Sequence, residues 1–306
     1  MEFELNEEQR MVRSMVRDLS QNEFAPRAAQ VDSTEAFPEE NIDRLAQLGL
    51  MGLPYPEAYG GGGGDYVSYA LAVEEIARGC GSTALVYTAH VSLGCGPIYA
   101  FGNEEQKQKW LPRLCSGQGL AAFGLTEPQA GSDAGATRTT AVRDGGDYVL
   151  NGSKMWITSG ALADVVNCTA KTDPEAGTKG ISCFLVEKGT PGFIPGKDEP
   201  KMGLKGAVTS ALALENCRVP ASTLLGEEGQ GFRQMLITLD SGRISIGAMA
   251  LGLGQAALDE ATRYAKERVQ FGQPIANFQA IQWMIADMAT EIDAARLMVY
   301  RAAAMK

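Results

Sequence analysis

The stretch Tyr148-Val149-Leu150-Asn151-Gly152-Ser153-Lys154-Met155-Trp156-Ile157-Thr158 decides how the 306-residue chain divides. Its runs are rich in the branched and aromatic residues that fit a pleated surface, and Asn151-Gly152 between them offers the positive φ a type I′ turn needs at both central positions. A hairpin is expected there. Further β-prone runs follow at Ile181 to Val186 and Ser210 to Leu214, so about residues 121–225 read as a small central antiparallel β-domain.

Both flanks change period to helix. In residues 1–120, Asn6 with Gln9 predicts a capping box, and Met11, Val12, Met15, Val16 and Leu19 form an apolar stripe that Pro26 is expected to close. Amphipathic stretches continue at Glu39–Leu48, Tyr66–Arg78 and Glu104–Leu114. In residues 226–306, Phe232, Leu236, Leu239, Arg243, Ile246, Ala250, Leu253 and Ala257 form one stripe facing a bundle, and Phe278, Ile281, Ile285, Met288, Ile292, Ala295 and Val299 a second. Arg268, Gly272 and Pro274 read as a helix end and turn, with Asn277 as the next N-cap. Two long helices alone leave much apolar surface in water at about 25 cal/mol per Å². The C-terminal bundle is therefore expected to be incomplete within this chain, covered by a neighbouring domain, other subunits or further residues. The fold class is multidomain α and β: helical N-terminal domain, central antiparallel β-domain, C-terminal helical bundle.

Composition narrows the function. With 27 basic against 37 acidic residues the net charge is -10, which opposes attraction to nucleic acid or anionic membranes. A single histidine, His90, excludes a His-rich metal site, and without a G-x-S-x-G elbow it reads as a packed or surface residue. Six dispersed cysteines form no C-x-x-C pair and read as buried free thiols. The acidic N-terminus has no secretory h-region, no run of about 18 apolar residues predicts membrane insertion, and an intracellular protein is expected.

Several local motifs have bland readings. Gly60 to Gly64 lacks a Gly-Lys-Ser/Thr ending and reads as a flexible loop. Gly252-Leu253-Gly254-Gln255-Ala256-Ala257 matches a dinucleotide pattern but lies inside a helix, where close packing explains it better. Arg243 on an apolar stripe implies either an internal ion pair with Asp240 or a polar site between helices. The segment Phe123 to Asp133 places a Gly/Ser/Thr loop after a short strand, either a bare turn or a cradle of amides and hydroxyls for an anion or heteroaromatic edge.

Together, Leu125-Thr126-Glu127-Pro128 with Ala130-Gly131-Ser132-Asp133, then Asn151 to Thr158, then Leu239-Asp240-Ser241-Gly242-Arg243, and Glu267-Arg268-Val269-Gln270-Phe271-Gly272 with Phe278-Gln279, resemble the acyl-CoA dehydrogenase family over the whole chain. The short-chain, butyryl-CoA-type members are resembled most. The resemblance implies FAD between the β-domain and the C-terminal helices, a homotetramer, and α,β-dehydrogenation of a short-chain acyl-CoA, with electrons passed to an electron-transfer flavoprotein. It implies that Phe123, Leu125, Thr126, Gly131 and Ser132 contact the flavin, that Trp156, Ile157 and Thr158 line it, and that Arg268, Gln270, Phe271 and Gln279 reach FAD across a subunit interface. Ser132, Asp240 and Arg243 are implied to touch the CoA ester. The family's catalytic glutamate is implied either beyond Lys306 or at the position of Gly242, so no residue here is assigned as base. The implied setting is the bacterial cytoplasm, or the mitochondrial matrix if a transit peptide was removed. A non-catalytic acyl-CoA- or flavin-binding subunit and an acyl-CoA oxidase are the alternatives.

Overall fold

The computed structural model describes residues 4–306. The chain opens with α1 (Glu7–Leu19), whose Asn6 and Gln9 do form the capping box. Pro26 does not end this helix. The backbone widens into a π-helical turn at Ser20–Phe24 and continues as α2 (Ala25–Thr34), with Pro26 in the first turn, where its missing N–H costs least. Helices α3 (Glu39–Gln47), α4 (Tyr66–Gly79) and α5 (Gly81–Thr88) follow. A second π-helical segment, Ala89–Cys95, joins α5 to α6 (Gly96–Phe101), and α7 (Glu104–Cys115) completes the helical layer. The Gly60–Gly64 run is not a loose loop. Amides of Gly61, Gly62 and Gly64 bond the carbonyls of Pro56, Gly52 and Leu53, and a Cβ at Gly61 would lie 2.1 Å from the Tyr55 carbonyl oxygen.

The central sheet contains β1 (Ala121–Gly124), β2 (Thr140–Asp144), β3 (Asp147–Thr158), β4 (Val165–Lys171), β5 (Ile181–Glu187), β6 (Phe193–Asp198) and β7 (Thr209–Pro220). Its order is β1-β4-β2-β3-β7-β6, with β5 on β4, and its pairs are antiparallel except for β1 and β2 against β4. Asn151-Gly152 is not a hairpin turn: β3 runs straight through it, with a register shift between Leu150 and Gly152. The shift lies in the pairing of β3 with β7, a bulge on that side, while Asn151 keeps its register opposite Thr140 of β2. Gly152 packs on Thr139, just before β2, so closely that a Cβ would lie 2.4 Å from its Oγ1. The tight turn is Gly145-Gly146, joining Asp144 to Asp147.

The remaining chain is α8 (Gly231–Glu267), a small hairpin of β8 (Val269–Gln270) and β9 (Gln273–Pro274), and α9 (Gln279–Ala304). Asn277 lies in a short 3-10 turn and Phe278 occupies the N-cap, one residue later than expected. The long stripe assigned to α8 is not its buried face: Leu236, Ile246 and Leu253 are exposed, and the helix buries Met235, Thr238, Ser245, Ala248, Met249 and Gly252. Small residues face inward because α4 approaches closely: a Cβ at Gly252 would lie 2.1 Å from the Glu74 carbonyl oxygen. On α9 the expected stripe does turn toward α8, with Val299 and Ile292 against Gly247 and Gly254. By length and mean hydropathy alone α8 could cross a bilayer. Its inner face is instead packed on α4 and α5 as part of the helical core.

Candidate functional site

Two ties hold the π-helical segment Ala89–Cys95 against the sheet. His90 is buried, and its ring receives the Ala121 N–H on Nδ1 at 3.2 Å while Nε2 faces the Leu114 carbonyl at 3.1 Å. Nε2 therefore carries the proton. Burial pushes the His90 pKa down to about 4, against an opposing hydrogen bond to Leu114. Asn167 on β4 donates to the carbonyls of Gly94 at 2.8 Å and Ala122 at 3.1 Å. The histidine is a structural brace, the packed one of the two readings its sequence context left.

A largely apolar cavity of about 280 Å³ lies where this segment, the end of β3 and the middle of α8 meet. Leu85, Leu93, Leu239 and Ile246 supply its walls, and Ser92, Thr158, Gly242 and Arg243 also line it. That volume is at the lower end of small-molecule sites, roughly 300–1,000 Å³. Among the described residues no carboxylate lines it. Gly242 faces inward, since a Cβ there would lie 3.0 Å from Leu93 Cδ2 and 3.9 Å from Ser92 Oγ.

The predicted residues separate into three groups. Thr158 and Arg243 meet at the cavity. Arg243 is not interior, as its stripe position implied, but 73% exposed on the cavity's solvent side, with Nη1 2.6 Å from Asp240 Oδ1. The second group surrounds β1 and β3. Gly131 and Ser132 are exposed, Phe123 and Thr126 are half-buried, and the Trp156 indole is 61% exposed. Leu125 and Ile157 are turned into the cores, so their side chains present nothing to a ligand at this surface. Trp156 and Ser159 both have positive φ, 56° and 58°, where the strand bulges and ends. Such strain in non-glycine residues gathers at ligand sites.

The third group, Arg268, Gln270, Phe271 and Gln279, lies at the far end of α8 on the β8-β9 hairpin and the start of α9, all exposed. Phe271 and Gly272 form a two-residue turn with φ of 51° and 76°, which presents Phe271 at 92% exposure. Arg268 lies 25 residues beyond Arg243 (268 minus 243), roughly 37 Å along a helix. One chain does not bring this group to the cavity.

Glu127 and Lys154 escaped the sequence reading as a pair. Lys154 Nζ is 2.7 Å from Glu127 Oε1, with both side chains sealed from solvent. A lysine within a β-prone run, two positions before a tryptophan, was the available signal.

Models of the N-terminal, middle and C-terminal domains of acyl-CoA dehydrogenases match residues 6–118, 122–217 and 229–306. A short-chain specific acyl-CoA dehydrogenase of Clostridium acetobutylicum is 49% identical over all of this chain and 81% of its own length. The butyryl-CoA dehydrogenase structure from Megasphaera elsdenii superposes with a TM-score of 0.97 at 45% identity, over 99% of this chain and 80% of that one. An acyl-CoA dehydrogenase of Bacillus anthracis complexed with FAD superposes with a TM-score of 0.93 at 41% identity, over 98% of this chain and 51% of that one. Helix, sheet and helix in this order match the three-domain architecture of acyl-CoA dehydrogenases, a class of flavoproteins. The chain belongs to the acyl-CoA dehydrogenase family.

Proposed function

We propose that this protein is an FAD-dependent dehydrogenase that converts a short-chain acyl-CoA to the trans-2-enoyl-CoA and passes the electrons to an electron-transfer flavoprotein. The observation that carries the reading is the apolar cavity between Thr158 of β3 and Arg243 of α8. The segments 1–120, 121–225 and 226–306 are its helical, sheet and helical domains.

The residues present fit FAD. An exposed indole at Trp156 offers a stacking face, and the Thr126, Ser132 and Thr158 hydroxyls with nearby loop amides offer a polar edge. Phe123 and Gly131 complete that surface, with Leu125 and Ile157 packed behind it. Arg268, Gln270, Phe271 and Gln279 serve the FAD of another subunit, in keeping with their distance from the cavity and with a homotetramer. Bound FAD would supply the acceptor for the β hydrogen, and the α proton would pass to the family's glutamate, which is assigned to no residue of this chain. The chain itself holds the acyl group against the largely apolar walls of the cavity, and displacement of water by that acyl group would strengthen any hydrogen bond made to the thioester carbonyl. Arg243, oriented by Asp240, offers the CoA moiety a cation, and Ser132, exposed on the loop after β1, offers it a polar contact. Such an enzyme works where CoA esters are made, in the bacterial cytoplasm or mitochondrial matrix.

Gly242, which lines the cavity at one of the two positions implied for the family's glutamate, is the observation behind one second reading, a non-catalytic acyl-CoA- and flavin-binding subunit. The two are separated by adding butyryl-CoA anaerobically to protein loaded with FAD. Bleaching of the flavin band and reduction of an electron-transfer flavoprotein are expected of the dehydrogenase; uptake of FAD without bleaching supports the binding subunit. Failure to take up FAD sinks both. Trp156→Ala and Thr126→Ala should alter flavin absorbance or retention, and wild-type spectra in both would refute that placement.

A further inference from the structure

Glu127 and Lys154 sit inside the molecule behind the surface described above, and their partners are unusually complete. Lys154 Nζ donates to Glu127 Oε1 at 2.7 Å, to Thr169 Oγ1 at 3.0 Å and to the Leu125 carbonyl at 3.4 Å. Glu127 Oε2 accepts from the Arg138 amide at 2.6 Å and from Gln129 Nε2 at 2.7 Å, and the Thr139 amide reaches the same carboxylate at 3.2 Å. Burial opposes ionisation of Glu127, but the Lys154 charge and these donors outweigh it and hold the carboxyl below its ordinary range.

Packing alone does not account for such a pair. Desolvating two charges costs several kcal/mol per ion, and an apolar pair of similar volume often serves stability as well or better. Direction is what the charges add. The ion pair joins the loop after β1 to β3, and the Met155 N–H donates to the Thr126 carbonyl at 2.8 Å one residue further along. Register then slips between Lys154 and Ile157, and Trp156 takes φ of 56° and turns its indole outward. Loop, bulge and indole therefore form one braced unit.

We propose that Glu127 and Lys154 are a positioning pair that sets the Thr126 loop and the Trp156 indole in the relative geometry that receives the isoalloxazine ring. The inference rests on the flavin reading above. It is tested in the full chain loaded with FAD, comparing wild type, Lys154→Met, the double variant Glu127→Gln/Lys154→Met, and Thr169→Val. Lys154→Met leaves an unpaired buried carboxylate and should lose thermal stability. The double variant removes both charges and should regain most of it. Its FAD affinity should nonetheless stay about tenfold weaker, as when outer-shell supports of a site are lost, with displaced visible circular dichroism and flavin midpoint potential.

A stable double variant with wild-type FAD affinity, dichroism and potential would reduce the pair to packing and overturn the proposal. Should the double variant fail to fold, Thr169→Val decides: it keeps both charges and removes one acceptor from Nζ, so a smaller displacement of the same sign is expected, and an unchanged flavin spectrum and potential overturns the proposal. Wild-type protein that takes up no FAD sinks the flavin reading and this inference with it, an outcome distinct from either.

Discussion

His90 and Arg243 show opposite fates of a lone cationic-type residue. The His90 ring is neutral in the fold because burial holds its pKa near 4, whereas the ordinary value is 6.5. The unfolded chain therefore binds a proton that the folded chain refuses between those two values, so His90's contribution to stability is present above pH 6.5 and lost as pH falls toward about 4. The span corresponds to about 3 kcal/mol. Urea unfolding of wild type should show this slope, and His90→Gln should flatten it while lowering stability at pH 8 by about 1–3 kcal/mol through its displaced hydrogen bonds. Arg243 is solvated, and its i,i+3 pair with Asp240 contributes about 0.5 kcal/mol or less. Arg243→Ala should thus unfold like wild type and yet bind butyryl-CoA more weakly by calorimetry; unchanged affinity would leave the arginine as a surface ion partner only. Its exposure was not legible in the sequence. An apolar stripe tells which residues share a face but not which face the neighbouring helix takes.

At the scale of elements, α8 makes the same point with the sign reversed. Periodicity found the helix, its length and the paired stripe of α9, because these depend on spacing along one chain. The buried face of α8 is chosen by how near α4 can come, and glycine and serine permit the closest approach although they are the weakest hydrophobic signal. Gly252→Val should therefore cost about 3 kcal/mol or more, because the Cβ meets backbone that cannot yield. Gly254→Ala is the control. Its Cβ would lie 3.6 Å from Ile292, an ordinary contact, so the gain in helix propensity of about 0.5–1 kcal/mol should dominate. Urea midpoints of the two variants should move in opposite directions. Asn151-Gly152 failed as a turn signal for a related reason: the dipeptide permits positive φ, but pairing with β7 made it a bulge within one long strand, while Gly145-Gly146 took the turn.

For the whole molecule, the decisive length is the roughly 37 Å of α8 between the cavity and the β8-β9 hairpin. Sequence motifs specified both ends without revealing that they are far apart, since separation in space appears only when the helix proves continuous. If each FAD site takes residues from two chains, Trp156→Ala and Arg268→Ala proteins, each poor in flavin, should regain part of their FAD when dissociated and reassembled together, because some sites then combine two intact halves. Flavin content that stays at the average of the separate variants would argue for sites within one chain. The π-helical segment Ala89–Cys95 bears on how such a molecule tolerates insertion and deletion. Its backbone carries more residues per turn than an α-helix needs, and the wide turn leads directly into α6, whose Pro97 has no N–H to give to a regular helix. Removing one residue from the segment would rotate Leu85 and Thr88 by about 100° relative to everything downstream and carry one wall away from the cavity.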